Sequence, residues 1–511
     1  IIGEDHLINA MGGIEARETG ETQDSRTLYG YNSKTQTSID LPSTQYVDVN
    51  GYNYTLTNGN VHKDSHRRFL SYYANAGYTF KNKYTLTGSA RLDDYNNFGV
   101  SKELRRTPLW STGAKWNIKE ESFLKEVNLV NSLALSASYG YSGNINLNVF
   151  PFTNISLSDL DTFSQQPYAF ISQPANPNLR WEKTAILNFG LDFSILNSRL
   201  NGTIEYYKKD SKDLIVEFPV SPFYGVSNNA LVQNAATLAG HGIDLSLNGT
   251  ILKAKDFSWN SALVVSFNKT EVTDSRFQNF SQYLSGSGGT PPVAGYPLNS
   301  VFAFRSAGLD ATGRTQVYDK DGNIVNSFTS LKDIADMKYM GTNIPSYYGS
   351  FSQTFNYKKL SLYILATYKF DYVLFKPTYG GYVNRQGRFN QYDLNTDIDQ
   401  RWRNPGDEAT TSVPGIQGST GLSYVRYAQG EDQIMQGDHI RFRELSLKYD
   451  LTSLIDRGFV RGASVNFTAR NLGFFWRKNK DGLDPDFLPY TGVNMKLPAM
   501  AMYSIGFNVN F

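Results

Sequence analysis

The side chains that do most acid–base and metal chemistry are sparse in this sequence. Its 511 residues include five histidines and no cysteine. A disulfide framework, a thiolate metal site and a cysteine nucleophile are therefore all excluded. His6, His62, His66, His241 and His439 are scattered, with no HExxH pair and no repeated ligand spacing. Only His62 and His66 stand four apart, and Asp64 and Ser65 between them mark a solvated loop-to-strand boundary. Asp319-Lys320-Asp321-Gly322-Asn323 opens like a calcium loop, but Ser330 stands at the twelfth position, where an EF-hand closes on Glu. A β-turn is the better reading. Ser285-Gly286-Ser287-Gly288-Gly289 has neither the Lys-Ser/Thr pair nor the following helix of a phosphate loop, so it reads as flexible connection. Asn154-Ile155-Ser156 is an N-glycosylation triplet only in a eukaryotic secreted protein. No nucleophile, base and oxyanion set can be assembled. The reading is that the chain is not an enzyme and carries no cofactor and no metal site.

Side chains suited to binding are more plentiful. Phe150 and Phe152, Tyr168 and Phe170, Phe223 and Tyr224, Tyr379 and Tyr382, and Trp402 fall in segments without strand periodicity. Exposed rings beside Asn, Asp and Arg suit stacking on a sugar or gripping a peptide backbone, and they are the candidate substrate-binding residues. The competing reading is packing of loop on loop, or membership of an aromatic girdle.

The elements that must position these groups are strands. Lys and Arg number 49 against 47 Asp and Glu, so no electrostatic footprint for nucleic acid is present. No apolar run reaches the length of a membrane helix. Period two dominates instead. Tyr503, Ile505, Phe507, Val509 and Phe511 alternate with Ser504, Gly506, Asn508 and Asn510, and Leu187 to Ile195 and Leu360 to Phe370 repeat the script. Such strands have one apolar and one polar face. Fourteen are read, near 5–18, 68–80, 83–95, 108–118, 131–141, 183–196, 199–210, 239–250, 256–268, 345–357, 359–371, 437–449, 462–473 and 499–511.

A soluble sandwich would alternate too, but the connections decide. They alternate strictly between short ones of about 2, 12, 2, 5, 1 and 12 residues and long ones of about 49, 12, 41, 28, 76, 65 and 25, the one-sided pattern of an outer-membrane barrel. The fold expected is therefore all-β, an antiparallel transmembrane barrel with long extracellular loops at about 19–67, 142–182, 211–238, 269–344, 372–436 and 474–498. Short turns facing the periplasm would bring the last strand down to a periplasmic C-terminus. Phe511, closing that strand, resembles a barrel-assembly signal. Asp93, Asp192, Glu205, Asp244 and Arg470 fall on the polar parity and should face the lumen. One strand changes phase: Ile440 and Phe442 share a parity, while Leu445, Leu447 and Tyr449 take the other. Either a β-bulge near Arg443-Glu444 restores both sets to one face, or the strand ends early.

Several ordered motifs resemble SusC/RagA-type TonB-dependent outer-membrane transporters. They are Asn176-Pro177-Asn178-Leu179-Arg180-Trp181-Glu182, Gly190-Leu191-Asp192-Phe193, Tyr206-Tyr207, Asp213-Leu214 and Gly240-His241-Gly242-Ile243. Asp256-Phe257-Ser258-Trp259, Asn268-Lys269, Gly308-Leu309-Asp310 and Asp319 with Gly322 follow in the family's order. Ile440-Arg441-Phe442-Arg443-Glu444-Leu445-Ser446-Leu447, Arg470-Asn471-Leu472 and Gly482-Leu483-Asp484-Pro485 complete the set, which runs from about residue 66 onward. The resemblance implies a barrel of about 22 strands with a plugged lumen, of which residues 1–511 would be the C-terminal portion. The chain starts at Ile1 without signal peptide, plug domain or TonB box, so the expectation is a longer polypeptide that carries them upstream.

What the resemblance implies is uptake of oligosaccharides or peptides across the bacterial outer membrane. The expected partners are a SusD-like surface lipoprotein acting as lid, TonB-ExbB-ExbD through the N-terminal region, membrane lipid, and a second transporter–lipoprotein pair. The alternatives are a passive porin or adhesin, and a structural or secretion-associated barrel within a larger envelope assembly.

Overall fold

In the computed structural model, the residues described are 5–39, 45–47, 53–55, 61–96, 102–147, 149–160, 164, 166–219, 230–275, 292–331, 333–378, 382–383, 395–418, 422–452, 461–488 and 497–510. Phe511 lies outside them. Fourteen strands form one antiparallel sheet in strict chain order, the meander that alternating short and long connections demand. The first seven are β1 (His6–Ser25), β2 (Val61–Phe80), β3 (Tyr84–Tyr95), β4 (Arg106–Asn117), β5 (Val130–Asn144), β6 (Glu182–Ile195) and β7 (Leu200–Pro219). Then come β8 (Ala230–Lys253), β9 (Phe257–Ser275), β10 (Tyr347–Tyr357), β11 (Leu360–Phe370), β12 (His439–Asp450), β13 (Gly462–Arg477) and β14 (Met502–Asn510). The two edge strands, β1 and β14, each have one neighbour. No helix among the described residues is long and apolar enough to cross a membrane, which leaves crossing by strands untouched.

Every expected strand is present, but several run further than the apolar alternation does. β1 continues to Ser25, β2 begins at Val61, β7 reaches Pro219, β8 begins at Ala230 and β9 ends at Ser275. The segments expected to be loop from 19, 211 and 269 are therefore partly hairpin, and the loops are shorter than expected. The physical reason is that these ends do not alternate apolar and polar residues. In the first hairpin, polar pairs replace apolar contact: Arg68–Glu18 at 3.0 Å, Arg67–Glu21 at 3.4 Å and a His62–Asp24 hydrogen bond at 2.5 Å. Periodicity reports burial of one face alone: the first hairpin's ends are wet on both faces, and at the start of β8 the adjacent Ala235 and Ala236 are both buried, so neither shows it.

At the other rim several turns are tight. Lys81 and Asn82 both take positive φ, the backbone that a two-residue hairpin turn requires, and Lys358 does so in the β10–β11 turn. In β12 the register skips Arg443: Leu365 pairs with Glu444 while Ala366 pairs with Phe442. That is the bulge, and it leaves Phe442 and Leu445 on the same face.

The long connections hold much of the buried core. Ser300–Leu309 is one of the two inner strands of a four-stranded sheet with Thr315–Tyr318, Ile324–Val325 and Met337–Thr342. Its run Val301-Phe302-Ala303-Phe304 is apolar on both parities because both faces are covered. Phe302 and Phe304 pack with Val293, Val317, Leu331 and Met337. Val301 and Ala303 pack with Val373 and Phe375 from the next long connection. The one-and-a-half-turn helix Ser423–Ala428 of that second connection adds Val425 to the first cluster. Phe304 N donates to Gln429 O at 2.9 Å and Thr315 N to Ser423 Oγ at 2.9 Å. Two segments more than a hundred residues apart in sequence thus form one lobe.

Candidate functional site

The sheet register sorts the polar side chains. Ser136, Gly190, Glu205, Asp244, Ser266, Tyr348, Lys369, His439 and Arg477 are successive cross-strand partners from β5 to β13, so they share one face and one level. The five polar residues singled out from sequence all fall on this face. Asp93 lies 2.6 Å from Arg91 Nε, and Arg91 also reaches Glu15 at 3.0 Å. Asp192 accepts from Lys115 Nζ and Thr203 Oγ1, each at 3.1 Å. Arg470 and its cross-strand neighbour Glu444 are 2.9 Å apart. Glu205 and Asp244 sit directly opposite each other, and no cation pairs with either among the described residues. Like charges in that position repel, so the wall carries a concentrated negative site.

Several strands away the same level turns basic. Lys369, His439, Arg441 and Arg443 converge on two carboxylates supplied by the connection after β13. Asp486 lies 2.7 Å from Lys369 Nζ, 3.0 Å from Arg443 Nη2, 3.1 Å from Arg441 Nε and 3.7 Å from His439 Nε2. Asp484 pairs with Arg441 and accepts from Asp486 N at 3.0 Å, a turn that Pro485 pre-sets. Arg441 also stacks 4.2 Å above the Phe474 ring. His439 is wholly buried, its Nδ1 2.8 Å from the Gly437 carbonyl oxygen. Burial works to raise the Asp486 carboxyl, but the His439 and Lys369 side chains outweigh it and hold it far below the usual carboxylate range. Burial pushes the nearby Tyr372 phenol well above its ordinary value, with Asp486, Asp438 and Asp484 adding to the effect. The connection is thereby clasped to the polar face.

Beside the clasp, a cleft of ≈ 820 Å³ separates the ends of β9, β10 and β11 from the lobe. Tyr339, Tyr347, Tyr348 and Asn268 line it, with Lys369 at its edge. Rings with polar tips and amides are what a site for a polyhydroxylated or amide-rich ligand requires. The sequence reading missed this cleft, since its residues lie on strand ends and on two connections. Asn268-Lys269 was the one signal that touched it.

The loop aromatics divide. Tyr168 and Phe170 are exposed, 6.5 Å apart, on a small hairpin, and Phe152 is exposed while Phe150 is half-buried. The Trp402 ring packs where a Cβ on Gly313 or Gly415 would have to go, and its Nε1 donates to Glu408 Oε2 at 2.9 Å. It fastens one long connection to the other. Phe223, Tyr224 and Tyr379 lie outside the described residues, as does the Tyr382 side chain. Asp319 caps its own turn, accepting from Asp321 N and Asn323 N at 2.9 and 2.8 Å, as a β-turn requires. Among the described residues no group of three or more His, Asp or Glu could hold a metal.

The motif around Trp181 is structural. Leu179 and Trp181 are buried with Tyr95 and Val149, and Arg180 pairs with Asp213 at 2.5 Å. Asn234 joins Arg180 O to Asp213 O at 2.8 and 2.6 Å. These residues weld the base of the β5–β6 connection to the next hairpin.

A sequential antiparallel wall with one apolar face, one polar charged face and a lobe at the long-connection rim defines an outer-membrane β-barrel. Comparison specifies which kind. The family profile described as "TonB dependent receptor-like, beta-barrel" matches residues 7–472, and the chain belongs to that family of outer-membrane barrels. TonB-dependent receptor P26 of Formosa agariphila is 26% identical over 505 residues, 92% of this chain and 47% of the relative. TonB-dependent receptor SusC of Bacteroides thetaiotaomicron is 31% identical over 277 residues, 50% of this chain and 26% of the relative. The solved structure of the RagAB peptide transporter superposes with a TM-score of 0.78 at 24% identity, over 100% of this chain and 54% of that one. These likenesses bear out the SusC/RagA-type resemblance. The chain spans about half the length of the curated relative P26.

Proposed function

We propose that this chain forms part of the wall and mouth of an energised importer that takes oligosaccharides or peptides through the outer membrane. The observation that carries the reading is the cleft of ≈ 820 Å³ between the polar face and the lobe. It stands where a captured ligand would pass from the long loops to the polar wall. In this reading the long loops face outside, the C-terminus faces the periplasm, and the polar face lines the lumen. A SusD-like lipoprotein closes over the loops, and TonB supplies the energy through an upstream region. A pair of such units forms the assembly. The likeness to a peptide transporter supports the peptide class, and the rings and amides of the cleft suit either ligand.

The test is mass spectrometry of the complex extracted from native outer membranes in mild detergent, paired with uptake of labelled maltoheptaose and of a labelled peptide digest. The expected result is a SusD-like lipoprotein in near-equal amount, and uptake of one ligand that stops when the proton-motive force is collapsed. Uptake indifferent to the uncoupler would make the barrel passive. Envelope-assembly proteins in place of the lipoprotein would make it structural.

A further inference from the structure

The apolar face carries a feature that transport does not use. Two rows of cross-strand partners run from β3 to β7 near the short-turn rim. One is Leu86, Ala114, Ala137, Phe189 and Tyr206. The other is Tyr84, Trp116, Leu135, Leu191 and Ile204. Neither row contains a charge. Ala114 and Ala137 are adjacent, so the first row sinks between Leu86 on one side and Phe189 on the other. Neighbouring strands lie about 4.8 Å apart, so a floor two strands wide leaves room for an extended hydrocarbon chain to lie between the two walls. Its volume is ≈ 570 Å³.

The rim end of this groove is polar and fixed. Tyr84 Oη donates to the Glu121 carboxylate, Trp116 Nε1 donates to it at 3.1 Å, and Lys83 Nζ lies 2.9 Å away. Rings with one wet end mark the headgroup level of a bilayer. Just beyond, the connection 118–129 turns Phe123 and Leu129 outward, 67% and 58% exposed, and Leu196 of the next turn donates its N–H to Leu129 O at 2.8 Å. Apolar side chains displayed next to a wet belt are at home in the interfacial zone, not in bulk water.

We propose that the groove seats one acyl chain of a glycerophospholipid, over Ala114 and Ala137 and between Leu86 and Phe189. The Tyr84–Trp116–Lys83–Glu121 belt sets the level of its headgroup. The occupant is a phospholipid because the groove opens at the short-turn rim, which in the orientation proposed above faces the periplasmic leaflet. The seat does not depend on transport.

Native mass spectrometry of the whole protein from outer membranes in mild detergent tests it. The wild type should retain one phospholipid through mild activation, and delipidated protein should regain it from palmitoyl-oleoyl phosphatidylethanolamine. Ala114→Phe fills the floor, and Leu86→Ala removes a wall without adding bulk. Each should lower retention about ten-fold, the effect of two methylene groups left uncovered. Retention unchanged in both variants would overturn the seat, as would a wild type that holds no lipid. Retention of lipopolysaccharide instead would overturn the choice of occupant. Uptake measured on the same variants separates this result from the transport reading.

Discussion

At the scale of single residues, Asp486 is the side chain on which the clasp turns. Four cationic or cation-capable groups surround it, and replacing it leaves Arg441 buried without its second carboxylate. Breaking a buried pair by removing one partner costs about 3–5 kcal/mol. Asp486→Asn should therefore raise amide exchange across 478–488 by roughly two to three orders of magnitude while β12 and β13 stay protected. Its carboxyl is depressed in the fold, so its contribution is full above the ordinary Asp value and falls away below about pH 4. Exchange of the same segment, corrected for intrinsic rate, should rise on acidification through that point and not on raising pH from 6 to 9. Half of this cluster was legible. Arg441, Arg443 and Asp484 stand in motifs visible in sequence, whereas Asp486 and Lys369 do not. Nothing in a linear string says that a loop carboxylate returns to a strand more than a hundred positions earlier.

At the scale of elements, the strands were legible because each buries one face. Their outer ends were not, because charged pairs hold the first hairpin in water, while in β8 the adjacent Ala235 and Ala236 are both buried. The bulge at Arg443 offers a sharp check on which face is which. Leu445 pairs with Ile364 and Ala469 on the apolar face, and Ser446 pairs with Tyr363 and Thr468 on the polar one. An Arg on the lipid side costs about 2–4 kcal/mol near the midplane. Leu445→Arg should thus deplete the heat-resistant folded band on a semi-denaturing gel, and Ser446→Arg should not. The reverse outcome would mean that the strand ends early and the bulge has no role. In the first hairpin the ion pairs are exposed and easily screened. Raising salt from low to molar should speed exchange in 61–68 and leave 74–80 unchanged.

At the scale of the molecule, the wall and the lobe differ in how they are stabilised. The wall is a ladder with lipid on one side. The lobe has an interior of its own, with Phe304 fully buried at its centre. Arg426 is buried there too, its guanidinium donating to the carbonyls of Asn326 and Thr329 at 2.5 Å, and burial pulls it down to about 10. Truncating a buried Phe costs about 3–5 kcal/mol. Phe304→Ala should open 300–342 and 422–436 together to proteolysis while the wall stays folded. Independent opening of the two segments would contradict a shared core. None of this lobe was legible as a unit. Each connection showed only an apolar run, and the complement of Phe304 was written elsewhere in the chain.

That interleaving governs how such a molecule can diversify. A loop closed on itself can be exchanged like a cassette, by recombination or by an engineer, without consulting its neighbours. Here Phe304 has its cover in Val425, Gly313 and Gly415 make room for Trp402, and Val301 rests on Val373. A transplant of 292–342 alone would arrive with half an interior. The heritable unit of the lobe is therefore a pair of inserts, and a new lobe has to travel as both or be rebuilt from within.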